Sequence, residues 1–122
     1  MNRTFEASPD TVPRARHTVM AALIDAGCGI ATIETAALLT TELAANVVLH
    51  AKSERYQVDV DVDAGVDRVH VEITDLDERY PLRPLREPPD AESGRGLQLV
   101  ESLSRRWGVR SLDGGKALWF EL

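Results

Sequence analysis

The sequence predicts an α+β protein: a two-layer α/β sandwich in which three helices cover one face of a mixed, mainly antiparallel sheet. Two observations carry this. The segments Tyr56–Val62 and Val69–Ile73 alternate apolar and polar residues strictly, which is the period of half-buried strands. The segments Val12–Ala26 and Ala31–Ala51 place apolar residues at three- and four-residue intervals, which is the period of helices. The order along the chain reads β-α-α-β-β-loop-α-β-β, and 122 residues fit one domain spanning residues 1–122.

Each element has its own signal. Arg3-Thr4-Phe5-Glu6 is a short extended run suited to an edge strand, and Ser8-Pro9-Asp10 supplies capping chemistry for the start of a helix. The first helix carries Val12, Ala15, Val19, Ala22, Leu23 and Ala26 on one face, tolerates Pro13 in its first turn, and is stopped by Gly27 and Gly29. The second helix is apolar nearly all round, from Ile33 through Leu49, which predicts packing on more than one side. Ala64-Gly65-Val66-Asp67 joins the two alternating strands as a hairpin. Residues 76–93 hold Pro81, Pro84, Pro88 and Pro89 without periodicity, and a connection of that length is a lid, a binding loop or a disordered segment. A third helix over Gly94–Trp107 presents Leu97, Val100, Leu103 and Ser104. A closing hairpin runs through Val109-Arg110-Ser111, a Gly114-Gly115 turn and Ala117–Leu122.

Composition narrows the function. There are 20 acidic and 14 basic side chains, a formal net charge of −6, and no basic stripe, so a nucleic-acid partner is not expected. Cys28 is the single cysteine, which excludes an intrachain disulfide and suits a reducing, cytoplasmic setting. No membrane span is expected, and Asp25 interrupts the apolar stretch Val19–Ile30 that otherwise has a faint likeness to a signal peptide. Cys28 itself reads as a small core or helix-end residue.

Three places carry candidate chemistry. Glu42, Asn46 and His50 recur every four residues and stack on one stripe of the second helix, flanked by Leu38, Leu39, Leu43 and Leu49. A carboxylate and an amide among leucines suit a metal and phosphate site, with the amide oxygen on a divalent cation and the carboxylate as proton acceptor; a helix edge reaching solvent has the same spacing. Ser93-Gly94-Arg95-Gly96-Leu97 opens the third helix, where glycines admit close backbone approach and the free N–H groups suit a phosphate; a tight start to an ordinary helix fits as well. Asp75 ends the second hairpin strand, placed either to accept a hydrogen bond from a purine amino group or to serve as a turn acid. Arg83, Arg86 and Arg95 are the loop cations near this region. His17 and His70 are single, and His70 points outward with Glu72 and is expected to be solvated. Trp107 and Trp119 read as core or interface residues.

Taken together, Glu42-x-x-x-Asn46, Asp75, the long loop, Gly94-x-Gly96 and Gly115 resemble the ATP-binding (Bergerat) fold of the GHKL superfamily. Within it, the segments Thr41–Ala51, Ser93–Val100, Trp107-Gly108 and Gly115–Leu122 are most similar to actinobacterial anti-sigma regulatory factors, which are serine/threonine protein kinases. The resemblance implies ATP and Mg²⁺ as ligands. It gives Glu42 the role of general base toward a substrate hydroxyl, Asn46 that of the Mg²⁺ ligand, and Asp75 the contact to the adenine amino group. Gly94, Arg95, Gly96 and Leu97 would receive the phosphates, with His50 on the same nucleotide-binding stripe. It implies an anti-anti-sigma (STAS-domain) protein and a sigma factor as partners; relatives commonly form dimers, and an exposed first strand is able to pair with a second copy, without the sequence fixing the oligomeric state.

Two positions depart from the family pattern. The adenine-side box, ordinarily Asp-x-Gly, reads Asp75-Leu76-Asp77, and Ala117 stands where a threonine is frequent. Two readings therefore stand: an anti-sigma kinase that phosphorylates its antagonist, or a binding module on the same fold that regulates partners by stoichiometric sequestration.

Overall fold

The alternating segments pair into a five-stranded sheet in a computed structural model that describes residues 1–50, 54–63, 65, 68–76, 95–112 and 115–122. The strands are β1 (Asn2–Glu6), β2 (Arg55–Asp63), β3 (Arg68–Asp75), β4 (Arg106–Leu112) and β5 (Gly115–Glu121). Their spatial order is β1-β2-β3-β5-β4, and every described pairing is antiparallel. The helices are α1 (Val12–Asp25), α2 (Ile30–His50) and α3 (Arg95–Leu103), with a 3₁₀ turn at Pro9–Thr11. Residues 51–53, 64, 66–67, 77–94 and 113–114 lie outside the described residues, and with them most of the expected lid, Gly94 and most of the two hairpin turns.

The side-chain period of two sorts each strand into a core row and an outer row. The core row comprises Phe5 on β1, Tyr56, Val58 and Val60 on β2, Val69, Val71 and Ile73 on β3, and Leu118 and Phe120 on β5, all buried. Asp75 has the same parity as Val69, Val71 and Ile73, so it continues the core row at the end of β3.

Against this face, α2 lies over β3 with α1 on one flank and α3 on the other. Leu39, Leu43, Ala44 and Val47 bury its inner side, and each large aliphatic contributes roughly 1.5–3 kcal/mol. By length and mean hydropathy alone α2 is able to cross a membrane; its burial beneath α1, α3 and the sheet makes it the central helix of the layer. The expectation of apolar packing all round holds for three sides only. Ile30, Leu38 and Leu49 form an outer stripe that stays exposed.

The α1–α2 turn shows why the glycine there is required. Gly27 has φ +80°, the Gly27 N–H donates to the Ile24 carbonyl and the Cys28 N–H to the Leu23 carbonyl, which closes the last turn of α1. Cys28 packs against the core at this junction, as its reading as a helix-end residue anticipates.

Three expectations need correction. The third helix ends at Leu103 rather than Trp107, because Trp107 enters β4 and pairs with Phe120. Neither Ser8 nor Thr11 makes a side-chain cap; the Thr11 hydroxyl instead donates back to the Glu6 and Ser8 carbonyls. His70 does point away from the core, but its ring is half-buried and stacks on Trp119 at 5.4 Å.

Candidate functional site

The positions of the candidate residues depend on which ends of the elements meet. Thr32 and Thr35 of α2 line an open groove of about 390 Å³ with Leu103, Ser104, Arg105 and Leu122. The start of α2 therefore lies beside the end of α3, and the two helices run antiparallel. Glu42 and Asn46 sit two and three turns beyond Thr35 on the same side of α2, so they too face the α3 flank. Nine residues of α3 span roughly 13 Å. Its N-terminal end, Arg95-Gly96, thus reaches the level of Glu42 and Asn46.

The sheet gives the same alignment. Leu122 borders that groove and exchanges backbone hydrogen bonds with Val69 at 2.9 and 3.3 Å, so β3 begins at the same end as α2. From Val69 to Asp75 β3 rises about 20 Å, and α2 rises about 21 Å from Thr32 to Asn46. Asp75, Asn46, Glu42 and the first turn of α3 therefore converge at the end of the sandwich opposite the groove.

Within this end the groups differ in state. Asn46 and Asp75 are buried, 9% and 6% exposed, and both have polar partners. Glu42 is half-buried and has no hydrogen-bond or ion-pair partner among the described residues, which leaves its carboxylate available as a proton acceptor. Beside it, Arg16 of α1 donates to the Thr41 hydroxyl at 3.4 Å, while that hydroxyl donates to the Ala37 carbonyl at 2.9 Å. The first-turn N–H groups of α3 and the positive end of its dipole suit an anion. His50 is exposed as the last residue of α2. Leu97 is 7% exposed and belongs to the core, so its side chain holds α3 to the sandwich and only its backbone is available to a ligand. Gly94, Asp77, Arg83 and Arg86 lie outside the described residues. Ala117 is fully buried opposite Thr74.

Sequence reasoning did not single out Tyr56 or Thr11. The Thr11 hydroxyl lies 2.7 Å from the Glu6 carbonyl, 2.8 Å from the Ser8 carbonyl and 2.8 Å from the Tyr56 hydroxyl. Its one proton goes to the carbonyls, so Tyr56 is the donor to Thr11. Burial pushes the Tyr56 phenol up, so the donor stays protonated. No sequence signal marks this contact, because its partners stand 45 residues apart.

The outer face of the sheet is organised differently. Arg106 donates to Glu121 at 2.6 Å and Arg110 pairs with Glu72. The Arg106 guanidinium holds the Glu121 carboxyl below the usual glutamate range. Trp119 lies over Gly108 between these pairs.

The donor set fits a hard cation carried by phosphates. Asn46 and Glu42 offer oxygen atoms, and among the described residues no group of three or more His, Cys, Asp or Glu side chains forms a metal cage of its own.

An antiparallel sheet under three helices, with an acid at a strand end and a Glu-x-x-x-Asn stripe meeting a helix start, defines a nucleotide-binding sandwich. The family model for the histidine kinase-like ATPase domain matches residues 5–122, and the chain belongs to that family, which is of GHKL type. Among curated proteins nothing matches the chain. Membership implies ATP binding, usually with Mg²⁺.

Proposed function

We propose that this chain is an ATP-dependent serine/threonine protein kinase of the anti-sigma type. It phosphorylates an anti-anti-sigma (STAS-domain) protein and holds a sigma factor inactive in the cytoplasm until its partner's phosphorylation state changes. The observation that carries the reading is the Glu42 carboxylate, without a partner among the described residues, one helical turn before buried Asn46, at the end where Asp75 and the start of α3 meet.

In this reading Asp75 accepts a hydrogen bond from the adenine amino group, and the α3 N–H groups, with Gly94 and Gly96 before and within its first turn, receive the phosphates. Asn46 would hold Mg²⁺, which would neutralise phosphate charge when bound. Glu42 takes the proton of the substrate serine or threonine hydroxyl as its oxygen bonds to the γ-phosphorus; the bond from that phosphorus to the β,γ-bridging oxygen breaks and ADP leaves. Phosphoryl transfer asks for positioning and charge neutralisation rather than covalent catalysis, which this arrangement is suited to provide. The exposed edge of β1 is available to a second copy of the chain.

Ala117 supports a second reading. It puts a methyl where a hydroxyl is frequent in the family, opposite Thr74, and a chain that keeps the fold without phosphoryl transfer would act by sequestration alone. One experiment separates the two. Glu42→Ala is expected to abolish transfer of labelled phosphate from ATP to a STAS partner while leaving ATP affinity within about twofold of wild type. Undiminished transfer would remove Glu42 as the base, and no transfer by the wild type to any partner it binds would favour sequestration.

A further inference from the structure

We propose that Tyr56 is a positioning residue for Asp75 and thereby sets the preference of the site for adenine. The inference rests on the reading of Asp75 as the adenine contact, and it adds a residue that the functional motifs do not contain.

Register and hydrogen bonding place the two side chains together. Tyr56 and Asp75 stand directly opposite each other on β2 and β3 and share the core face. The Leu76 N–H donates to the Arg55 carbonyl at 3.2 Å, so Arg55 and Leu76 form the hydrogen-bonded pair and Tyr56 and Asp75 the adjacent non-hydrogen-bonded one. In such pairs the backbones approach most closely and Cβ atoms lie about 4.5–5.5 Å apart. Tyr56 and Asp75 therefore leave the sheet side by side on its core face.

The Tyr56 ring is held from the side of β1 and the start of α1. It is fully buried, stacks on Phe5 of β1 at 5.7 Å, and its hydroxyl is held by Thr11 at 2.8 Å. Thr11 is in turn tied to the Glu6 and Ser8 carbonyls. Asp75 is the last residue of its strand, with the Leu76–Arg55 hydrogen bond just beyond it. A wall that cannot move restricts the rotamers open to the carboxyl and keeps water from that side. Both effects aim its oxygens at a fixed point before a base arrives. Selectivity built this way depends on orientation, so it is lost when the wall moves even though Asp75 remains.

The test compares ATP with ITP, whose base has a carbonyl oxygen in place of the amino group, by calorimetric titration of the full chain. The wild type is expected to prefer ATP, and Asp75→Asn to lose the preference. Tyr56→Leu, which removes the wall, is expected to reduce the ATP-over-ITP ratio by about tenfold while ITP affinity stays within about twofold, since phosphate binding is untouched. Tyr56→Phe keeps the wall and cuts only the tie to Thr11, so the ratio should fall by about threefold. If Tyr56→Leu does not fold, the Phe variant decides. A full ATP preference in a folded Tyr56 variant while Asp75→Asn loses it would overturn the inference. A wild type that does not distinguish ATP from ITP would instead overturn the reading of Asp75 on which it rests.

Discussion

Among the glycines at positions 27, 29, 65 and 108, Gly108 is the one where an added methyl group meets the closest atoms. A Cβ built there would lie 2.9 Å from Cζ2 and Nε1 of Trp119 and 3.0 Å from its Cε2. Relaxed contacts to carbon need about 3.5–4.0 Å, so the indole must retreat by roughly 0.5–1 Å from three atoms at once. It has little room to do so, because its ring is stacked on His70 at 5.4 Å and Gly108 is its direct cross-strand neighbour. Overpacking of this kind costs about 1–3 kcal/mol. Replacing glycine returns about 0.4–1 kcal/mol by restricting the unfolded chain, leaving a net loss of about 1–2 kcal/mol. For 122 residues the unfolding entropy is about 0.26 kcal/mol/K, so Gly108→Ala should lower Tm by about 4–8 °C. Urea and thermal unfolding monitored by circular dichroism measure this directly. A double-mutant cycle identifies the cause: in a Trp119→Leu background the same change should be neutral or slightly stabilising. An equal cost in both backgrounds, or no cost in the wild type, would refute the clash as the reason glycine stands there.

Other consequences are as concrete. The Thr40 hydroxyl is buried in α2 with no hydrogen-bond partner among the described residues, so Thr40→Val, which keeps the shape and removes the orphaned group, should raise stability by about 1 kcal/mol, read as a Tm increase of about 4 °C; a loss of stability would show that the hydroxyl has a partner. The Glu121 carboxyl is held below its ordinary value by Arg106. A depressed folded pKa stabilises above the unfolded value of about 4.3 and loses that contribution as pH falls through the folded pKa. Glu121→Gln should therefore flatten the acid limb of a stability profile below about pH 4.3, and an unchanged limb would mean that Arg106 does not shift it. Asn46→Ala should weaken ATP binding in the presence of Mg²⁺ more than in its absence; equal losses would remove Asn46 as a ligand.

Much of the fold was legible because it is written in local periods. Alternation at Tyr56–Val62 and Val69–Ile73 gave β2 and β3, and the three-four spacing gave α1 and α2 to within a residue or two. The end of α3 was not legible, since Leu103 and Trp107 keep helical spacing while pairing of Trp107 with Phe120 decides for strand. The outward direction of His70 came from parity, but its burial depends on Trp119, which reaches it only through the β3–β5 register. The same limit applies to the site. The stripe of Glu42 and Asn46 is a property of one helix, and Asp75 of one strand. That they meet the start of α3 depends on the shared end at Thr32, Leu103 and Leu122, a tertiary fact. The pinning of Tyr56 by Thr11 is likewise tertiary.

The central claim is that Glu42, Asn46, Asp75 and the start of α3 form a working nucleotide site, and calorimetric titration of the purified chain with ATP, with and without Mg²⁺ and again with ADP, tests it most directly. Micromolar binding of ATP that strengthens when Mg²⁺ is present is the expected result. Absence of binding at millimolar ATP would contradict the claim and leave the fold as a surface for holding partners.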